Sequence, residues 1–164
     1  MARFCLSALS GGILDGMWRS AVPADDEAIV GMCIALNAED PGPHPVPPEN
    51  MRRTLREFRQ TPVRGRAVAL ELDNRVCGYA LLVSFWSNEL GGELCAIDEL
   101  YVEPEHRGSG HATRLFQGLS ARSEPWLEGV VALALEVTPG NARVRRFYER
   151  LGFRATNVAM QLRF

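Results

Sequence analysis

The sequence predicts a single domain of the α/β (α+β) class, in which antiparallel hairpins come first and a strand–helix–strand crossover follows. Apolar residues alternate from Val68 to Leu72, and Asp73 and Asn74 then supply a hairpin turn before a second strand. Further along, the run 130–137 follows an amphipathic helix and is apolar enough to be covered on both faces, as parallel strands are. Hairpins followed by a crossover indicate a mixed sheet with flanking helices.

The elements of the first half follow from capping and spacing signals. A short strand near Trp18 is followed by a proline turn and by a helix whose first turn is acidic, at Asp25–Glu27. A proline-rich loop over 41–48 contains His44 and cannot be helical. The segment 51–60 then repeats apolar residues at helical spacing.

The elements after the hairpin are predicted by the same kinds of capping and spacing signals. A strand over Glu93–Val102 leads into a glycine-containing turn and a helix. The last helix begins at Asn141, an N-cap residue, and ends before Gly152, a C-terminal capping residue. The segment 153–164 is expected to close the sheet.

Composition narrows the range of functions. The chain has 164 residues, 46% of them hydrophobic and 23% charged, which is typical of a globular domain. The net charge of -2 argues against nucleic acid as a partner, since such proteins need a basic surface. No apolar window is long enough to span a membrane.

The cysteines indicate neither a metal site nor a disulfide framework. Their positions are far apart, with no Cys-x-x-Cys pair and no adjacent histidine to complete a zinc site: Cys5, Cys33, Cys77 and Cys95. We therefore expect reduced thiols, no metal and a cytoplasmic protein. Residues 1–16 are expected to form a poorly ordered N-terminal extension, and 17–164 the domain itself.

The turn in EPEHRGSGHATRLF suggests an anion site. The backbone N–H groups of 107–112 can converge on an anion at a helix start, because Gly108 and Gly110 carry no side chains that would block it. Thr113 stands where a dinucleotide fingerprint needs its third glycine, and no lysine exists to complete a P-loop. A pyrophosphate fits such a turn.

Two motifs resemble the Gcn5-related N-acetyltransferases (GNAT). The stretch YVEPEHRGSGHATRL resembles the acyl-CoA-binding signature of that family, with Arg107, Gly110 and Ala112 at its positions. The later NARVRRFYERLGF resembles the second signature, with Phe147 and Tyr148 at its aromatic pair. The resemblance covers about 17–164.

This resemblance implies an acyl-CoA N-acyltransferase domain with acetyl-CoA as cosubstrate. It also implies that the strand 93–102 splays from the parallel strand 130–137, and that the pantetheine arm enters the gap and pairs with the backbone of Leu100 and Val102. The residues expected to bind the cofactor are Leu100, Val102, Arg107, Gly108, Ser109, Gly110, His111, Ala112, Asn141 and Phe147.

The implied reaction is the direct attack of a primary amine on the thioester. An amine of pKa about 10.4 costs on the order of 4.6 kcal/mol to deprotonate at pH 7, so a base is needed. Tyr148 matches the family's proton donor to the leaving sulfur. The candidates for the base are Glu89, Glu93, Asp98 and Glu99, and the resemblance of IDELYV to the corresponding strand of polyamine-type members of the family favours Asp98 over Glu99. Adjacent strand residues face opposite sides, so both enter the cleft only if a bulge intervenes.

The acceptor is not specified by the sequence. The candidates to line the acceptor pocket are Phe85 and Trp86, and Glu89 would give it a negative charge. A small amine and a peptide fit equally well as acceptors. One alternative is a non-catalytic acyl-CoA-binding module, because the sequence contains no unambiguous general base. Another is acetylation of aminoacyl-tRNA, since four arginines share the segment 51–60. A homodimer is compatible with the sequence.

Overall fold

The computed structural model of the chain describes residues 17–42, 46–138, 140–156, 160 and 162. The predicted N-terminal extension 1–16 and His44 lie outside the described residues. The division into an extension and a domain over 17–164 therefore stays a prediction.

Within the described ranges, five strands form one mixed sheet in the order β1-β2-β3-β4-β5. Each neighbouring pair is antiparallel except β4 and β5, which run parallel. This confirms the predicted mixed, mostly antiparallel sheet. The strands are β1 Trp18–Ser20, β2 Gly65–Leu72, β3 Arg75–Ser87, β4 Gly92–Val102 and β5 Val130–Leu135.

In the part of the chain that the structure describes, four α-helices flank the sheet: α1 Asp26–Glu39, α2 Pro48–Gln60, α3 His111–Ala121 and α4 Ala142–Arg150. Side chains of α1 and α2 form one core with Tyr79 and Tyr101 of the sheet. Side chains of α3 form the other core with Trp18 and Ile97, and α4 packs against it. The sheet is therefore covered on both faces, as the sequence predicts.

The hairpin between β2 and β3 has the predicted turn. Asp73 and Asn74 both have positive φ, at 50° and 61°. Two central residues of positive φ define the type I′ turn, whose twist matches that of antiparallel strands. Asn and Asp tolerate this left-handed conformation better than most side chains do.

The arginine-rich helix α2 is tied to α1 by ion pairs. Arg52 donates to both oxygens of Glu27 at 2.8 Å, and Arg59 donates to Asp26 at 2.9 and 2.6 Å. Two of the four arginines on this helix are thus committed to neighbouring carboxylates. This removes much of the cationic surface on which the aminoacyl-tRNA alternative depends.

The C-terminal segment is described only in part. In 153–164, the residues that the structure describes are 153–156, 160 and 162, and none of them lies in a strand. The rest of the predicted closing strand lies outside the described residues. Within the described ranges, no helix combines the length and the apolar character needed to cross a bilayer.

Candidate active site

A β-bulge interrupts β4 at Asp98. The pairing with β3 places Leu81 opposite Glu99 and Leu82 opposite Ile97, so that Asp98 is an extra residue with no partner on β3. An extra residue of this kind bends the strand and shifts the side chains that follow it to the other face. Because of this bulge, the carboxylates of Asp98 and Glu99 can both lie on one side of the sheet.

The parallel pairing of β4 with β5 ends next to the bulge. The register runs from Glu93 opposite Val130 to Ile97 opposite Leu135 and goes no further. Beyond Ile97, β4 continues to Val102 while β5 has ended. The parallel pairing therefore stops well before the end of β4, and β5 is shorter than the expected 130–137. The divergence of the two strands stays a prediction.

The part of β4 beyond Ile97 has backbone groups that point away from β3. Glu103 N–H donates to Cys77 C=O at 2.9 Å. Because hydrogen-bonded and non-bonded positions alternate along an antiparallel pair, the backbones of Val102 and Leu100 face the side on which β5 has ended. Arg107 Nε donates to Val102 C=O at 2.7 Å, which leaves Val102 N–H and both groups of Leu100 on this edge.

The turn after β4 is open at its glycines. Gly108 and Gly110 have φ of 80° and 82°, and a side chain placed at either would meet no atom within 4 Å. Their N–H groups have no hydrogen-bond acceptor among the described residues. Ala112 and Thr113 lie in the first turn of α3, whose N–H groups have no partner within the helix. Unpaired N–H groups therefore lie together at the positive end of α3.

Arg107 lies beside this turn, but its guanidinium is already paired. Arg107 bonds both oxygens of Glu39, at the C-terminal end of α1, at 2.9 Å. The same guanidinium lies 5.1 Å from the centre of the Tyr101 ring. Glu39 also accepts a hydrogen bond of 3.1 Å from the Tyr101 hydroxyl.

Asn141 caps α4, as predicted, and also reaches α1. Its side-chain oxygen accepts from Val144 N–H at 3.2 Å. Its side-chain nitrogen donates to Asp40 at 2.9 Å. The end of α1 thus contacts both the glycine turn and the start of α4.

Tyr148 lies on α4 in an aromatic cluster. Its ring centre is 5.6 Å from that of Phe116, 5.2 Å from that of Phe147 and 5.8 Å from that of Phe153. Burial raises the pKa of Tyr148 to about 12. Its hydroxyl has no hydrogen-bond partner among the described residues. The phenol is therefore protonated at neutral pH and available to donate.

The two carboxylates of the bulge have different surroundings. Asp98 is exposed and has no ion pair or hydrogen bond with any described residue, although partial desolvation by its neighbours raises its pKa. Glu99 is half-buried and accepts the Tyr79 hydroxyl at 2.6 Å. Burial raises the pKa of Glu99, the nearby Asp98 adds to this, and the bond from Tyr79 opposes it.

The residues predicted to line the acceptor pocket lie at the other end of β4. Phe85 is opposite Leu94, and both Phe85 and Trp86 are largely exposed, at 63% and 60%. Glu89 is exposed in the turn between β3 and β4. From Leu94 to Asp98 is about 13 Å at roughly 3.3 Å per residue. The structure therefore does not bring these three residues together with the bulge.

Three potential metal ligands lie close together after β4. Glu103, Glu105 and His106 place ligand atoms within 4.8 Å of one another. Arg75 forms ion pairs with both carboxylates, the one to Glu105 at 3.7 Å. The Arg75 guanidinium thus already provides a positive charge beside these carboxylates.

Comparison with known proteins identifies the family. The model of the acetyltransferase (GNAT) family matches residues 31–153, which is most of the chain. The chain belongs to the GNAT acetyltransferase family. Membership implies the transfer of acetyl groups from acetyl-CoA. A comparison with curated proteins gives no match.

Solved structures share the GNAT fold at low sequence identity. One is described as a possible acetyltransferase from Clostridium difficile 630, with a TM-score of 0.76 and 20% identity over 90% of this chain and 95% of that one. A ribosomal-protein-alanine N-acetyltransferase from Brucella melitensis biovar Abortus 2308 has a TM-score of 0.68 and 20% identity, covering 90% and 99% of the two chains. A glucosamine-6-phosphate N-acetyltransferase from Arabidopsis thaliana has a TM-score of 0.63 and 14% identity, covering 90% and 97%.

These GNAT structures have names that specify different acceptors, one a protein and one an amino sugar. Similarity at this level establishes the fold and leaves the acceptor open. The acceptor must therefore be sought in the chemistry of this chain's own residues.

The glycine turn fits the diphosphate of acetyl-CoA. It combines unobstructed space at Gly108 and Gly110 with N–H groups directed outward at the start of a helix.

Three residues that contact the predicted site residues were not identified from the sequence: Tyr79, Glu39 and Asp40. Their contacts join positions 20 to 101 residues apart in the chain, and no local motif marks them.

Proposed function

We propose that the protein transfers an acetyl group from acetyl-CoA to a primary amine by direct attack of the amine on the thioester. The observation that supports this most strongly is the succession of three features along β4 and the turn that follows it. The bulge at Asp98, the end of pairing with β5 at Ile97, and the open turn at Gly108 and Gly110 follow one another along the chain.

In this proposal the glycine turn binds the diphosphate through main-chain amides. Hydrogen bonds to a charged partner contribute about 1.5–3 kcal/mol each, so a few amides suffice without a metal. The N–H and C=O groups of Leu100 and the N–H group of Val102 form hydrogen bonds with the amides of the pantetheine arm. Arg107 reaches the diphosphate only by giving up part of its pairing with Glu39.

Asp98 serves as the base in this proposal. It is unpartnered, it lies where the pairing with β5 ends, and its raised pKa makes it a stronger base than an ordinary aspartate. Asp98 takes the proton that the attacking amine loses, directly or through water.

Tyr148 gives its proton to the thiolate that departs as the carbon–nitrogen bond forms and the carbon–sulfur bond breaks. Its pKa of about 12 keeps it protonated over the physiological range. Acetyl-CoA, when bound, supplies an acetyl group activated as a thioester.

An amine panel tests this function. Thiol release from acetyl-CoA is followed with a chromogenic disulfide in the presence of a polyamine, an amino sugar and a peptide with an N-terminal alanine. We expect one class to give amine-dependent thiol release. Retention of CoA with no release from any amine would instead favour the alternative of a non-catalytic acyl-CoA-binding module.

A further inference from the structure

A buried tyrosine lies beside the bulge that carries the two candidate bases. Tyr79 of β3 is 0% exposed, and its hydroxyl donates to Glu99 Oε2 at 2.6 Å. Its ring centre lies 6.5 Å from that of Tyr101, which restricts the direction of the hydroxyl. A buried hydroxyl is costly without a partner, so the bond to Glu99 is strongly favoured.

The bulge is what turns Glu99 towards this tyrosine. Ile97 lies in the core that α3 covers, and regular alternation would direct Glu99 to the same face. The extra residue at Asp98 reverses the alternation, so that Tyr101 lies in the core covered by α1. Glu99 shares that face, diagonally across from Tyr79, at a spacing that a long aromatic side chain can bridge.

The charged and titratable groups around Glu99 come from three elements. Tyr79 belongs to β3, Cys33 to α1 and Asp98 to β4 itself, and each of them influences the pKa of Glu99. None of these described groups is a cation. The hydroxyl of Tyr79 is therefore the main restraint on the Glu99 carboxylate, whereas Asp98 has none.

We propose that Tyr79 is a positioning residue, whose hydroxyl holds the Glu99 carboxylate under α1 and so leaves Asp98 as the single bulge carboxylate presented to the cleft. This inference rests on the proposed function, because it assigns the base among two adjacent carboxylates. In the absence of the hydroxyl, Glu99 is free to turn towards Asp98 and compete for the incoming amine.

Carboxyl labelling tests the placement without knowledge of the acceptor. The folded protein is treated with a water-soluble carbodiimide and glycine ethyl ester, and labelled peptides are quantified by mass spectrometry. We expect Asp98 to be labelled in the wild type and Glu99 to be protected. In Tyr79→Phe, labelling of Glu99 should rise about tenfold. The matched control, Tyr101→Phe, also removes a hydroxyl bonded to a glutamate and should leave Glu99 protected.

Kinetics test the consequence for the reaction. With the best amine of the panel, Tyr79→Phe should lower kcat about tenfold and leave the KM for acetyl-CoA unchanged. In a Glu99→Gln background, which has no second carboxylate to release, Tyr79→Phe should cost less than about twofold. A residue that only supports packing would cost the same in both backgrounds.

The outcomes separate the two claims. Glu99 labelled as fast as Asp98 in the folded wild type would overturn the positioning role, and this needs no variant to fold. Equal kinetic losses in the two backgrounds would overturn it as well. If no amine gives thiol release, the proposed function fails, and the labelling result alone decides the role of Tyr79.

Discussion

The two halves of β4 differ in their pairing. From Glu93 to Ile97 the strand pairs with β3 on one side and β5 on the other. From Glu99 to Val102 it pairs with β3 alone, and Asp98, at the junction, is the bulge residue. In the first half, backbone N–H and C=O groups bond to the strands on both sides. In the second half, the backbone groups that face away from β3 have no neighbouring strand and can bind a ligand. The candidate site lies where sheet pairing stops.

The two halves also differ in whether their carboxylates have a hydrogen-bond partner. Glu93, in the paired half, accepts the Ser84 hydroxyl at 2.6 Å. Asp98, at the start of the unpaired half, has no partner among the described residues. A carboxylate without a protein partner, next to unpaired backbone, is better placed to act on a substrate than one committed to the sheet.

The largest expected effect is a loss of cofactor binding on replacing a glycine of the turn. Gly110→Val places a branched side chain in the space that the turn leaves open, at a φ of 82° that also disfavours it. We expect CoA affinity to fall at least about 100-fold by calorimetry, which corresponds to roughly 2.7 kcal/mol of lost hydrogen bonding.

Gly91→Val is the matched control. Gly91 has a φ of 65°, open space around it and a place in the turn before the paired half. Its replacement imposes a similar backbone strain and should leave CoA affinity unchanged. Equal losses in the two variants would mean that Gly110 acts through stability rather than through contact.

Removing the proposed base should have the next largest effect. Asp98→Asn keeps the shape of the side chain and removes its basicity, so we expect kcat to fall about 100-fold at pH 7. Glu99→Gln should lose less than about tenfold in the same assay. A larger loss from Glu99→Gln would transfer the role of base to Glu99.

The pH dependence follows from the same carboxylate. Asp98 must be ionised to accept a proton, and desolvation raises its pKa. The rate should therefore fall as pH decreases through a value above the usual aspartate range of about 3.9, and the fall should be absent in Asp98→Asn. An acidic limb that persists in Asp98→Asn would belong to another group.

A smaller effect is expected for the proton donor. Tyr148→Phe should lower kcat about tenfold with little change in CoA affinity, because a thiolate of pKa about 8.5 leaves with partial help only. The aromatic contacts with Phe116 and Phe147 remain in this variant, so the melting temperature should change little. An unchanged kcat would remove Tyr148 from the mechanism.

The smallest effect on function should come from the paired half. Ile97→Val removes one methylene from the core and should cost about 0.5–1.5 kcal/mol of unfolding free energy, measured by urea denaturation. CoA affinity should stay within about twofold of the wild type. A larger loss of affinity would show that the two halves of β4 are not separable.

Local patterns were enough to predict much of the fold. The alternation before Asp73 and Asn74 predicts the first hairpin, because turn chemistry and strand period act within a few residues. Asn141 predicts the start of α4 for the same reason. The glycine turn could also be identified, because two glycines of positive φ leave a local signature.

The arrangement of the site was less accessible from the sequence. A bulge depends on the register between β3 and β4, and the sequence indicates only that one would be needed. The pairing of Arg107 with Glu39 joins residues 68 positions apart. The bond from Tyr79 to Glu99, on which the proposed choice between Asp98 and Glu99 rests, likewise joins distant positions, and the sequence marks Tyr79 only as an ordinary core residue.

The most direct test is a titration of backbone amide NMR signals with CoA. We predict that CoA shifts the amide signals of Gly108, Gly110 and Ala112 in the turn and of Leu100 and Val102 on the unpaired edge of β4, while the amide of Gly91 does not move. Binding of CoA that left the turn and the unpaired edge unperturbed, or that shifted the paired half of β4 instead, would contradict the account.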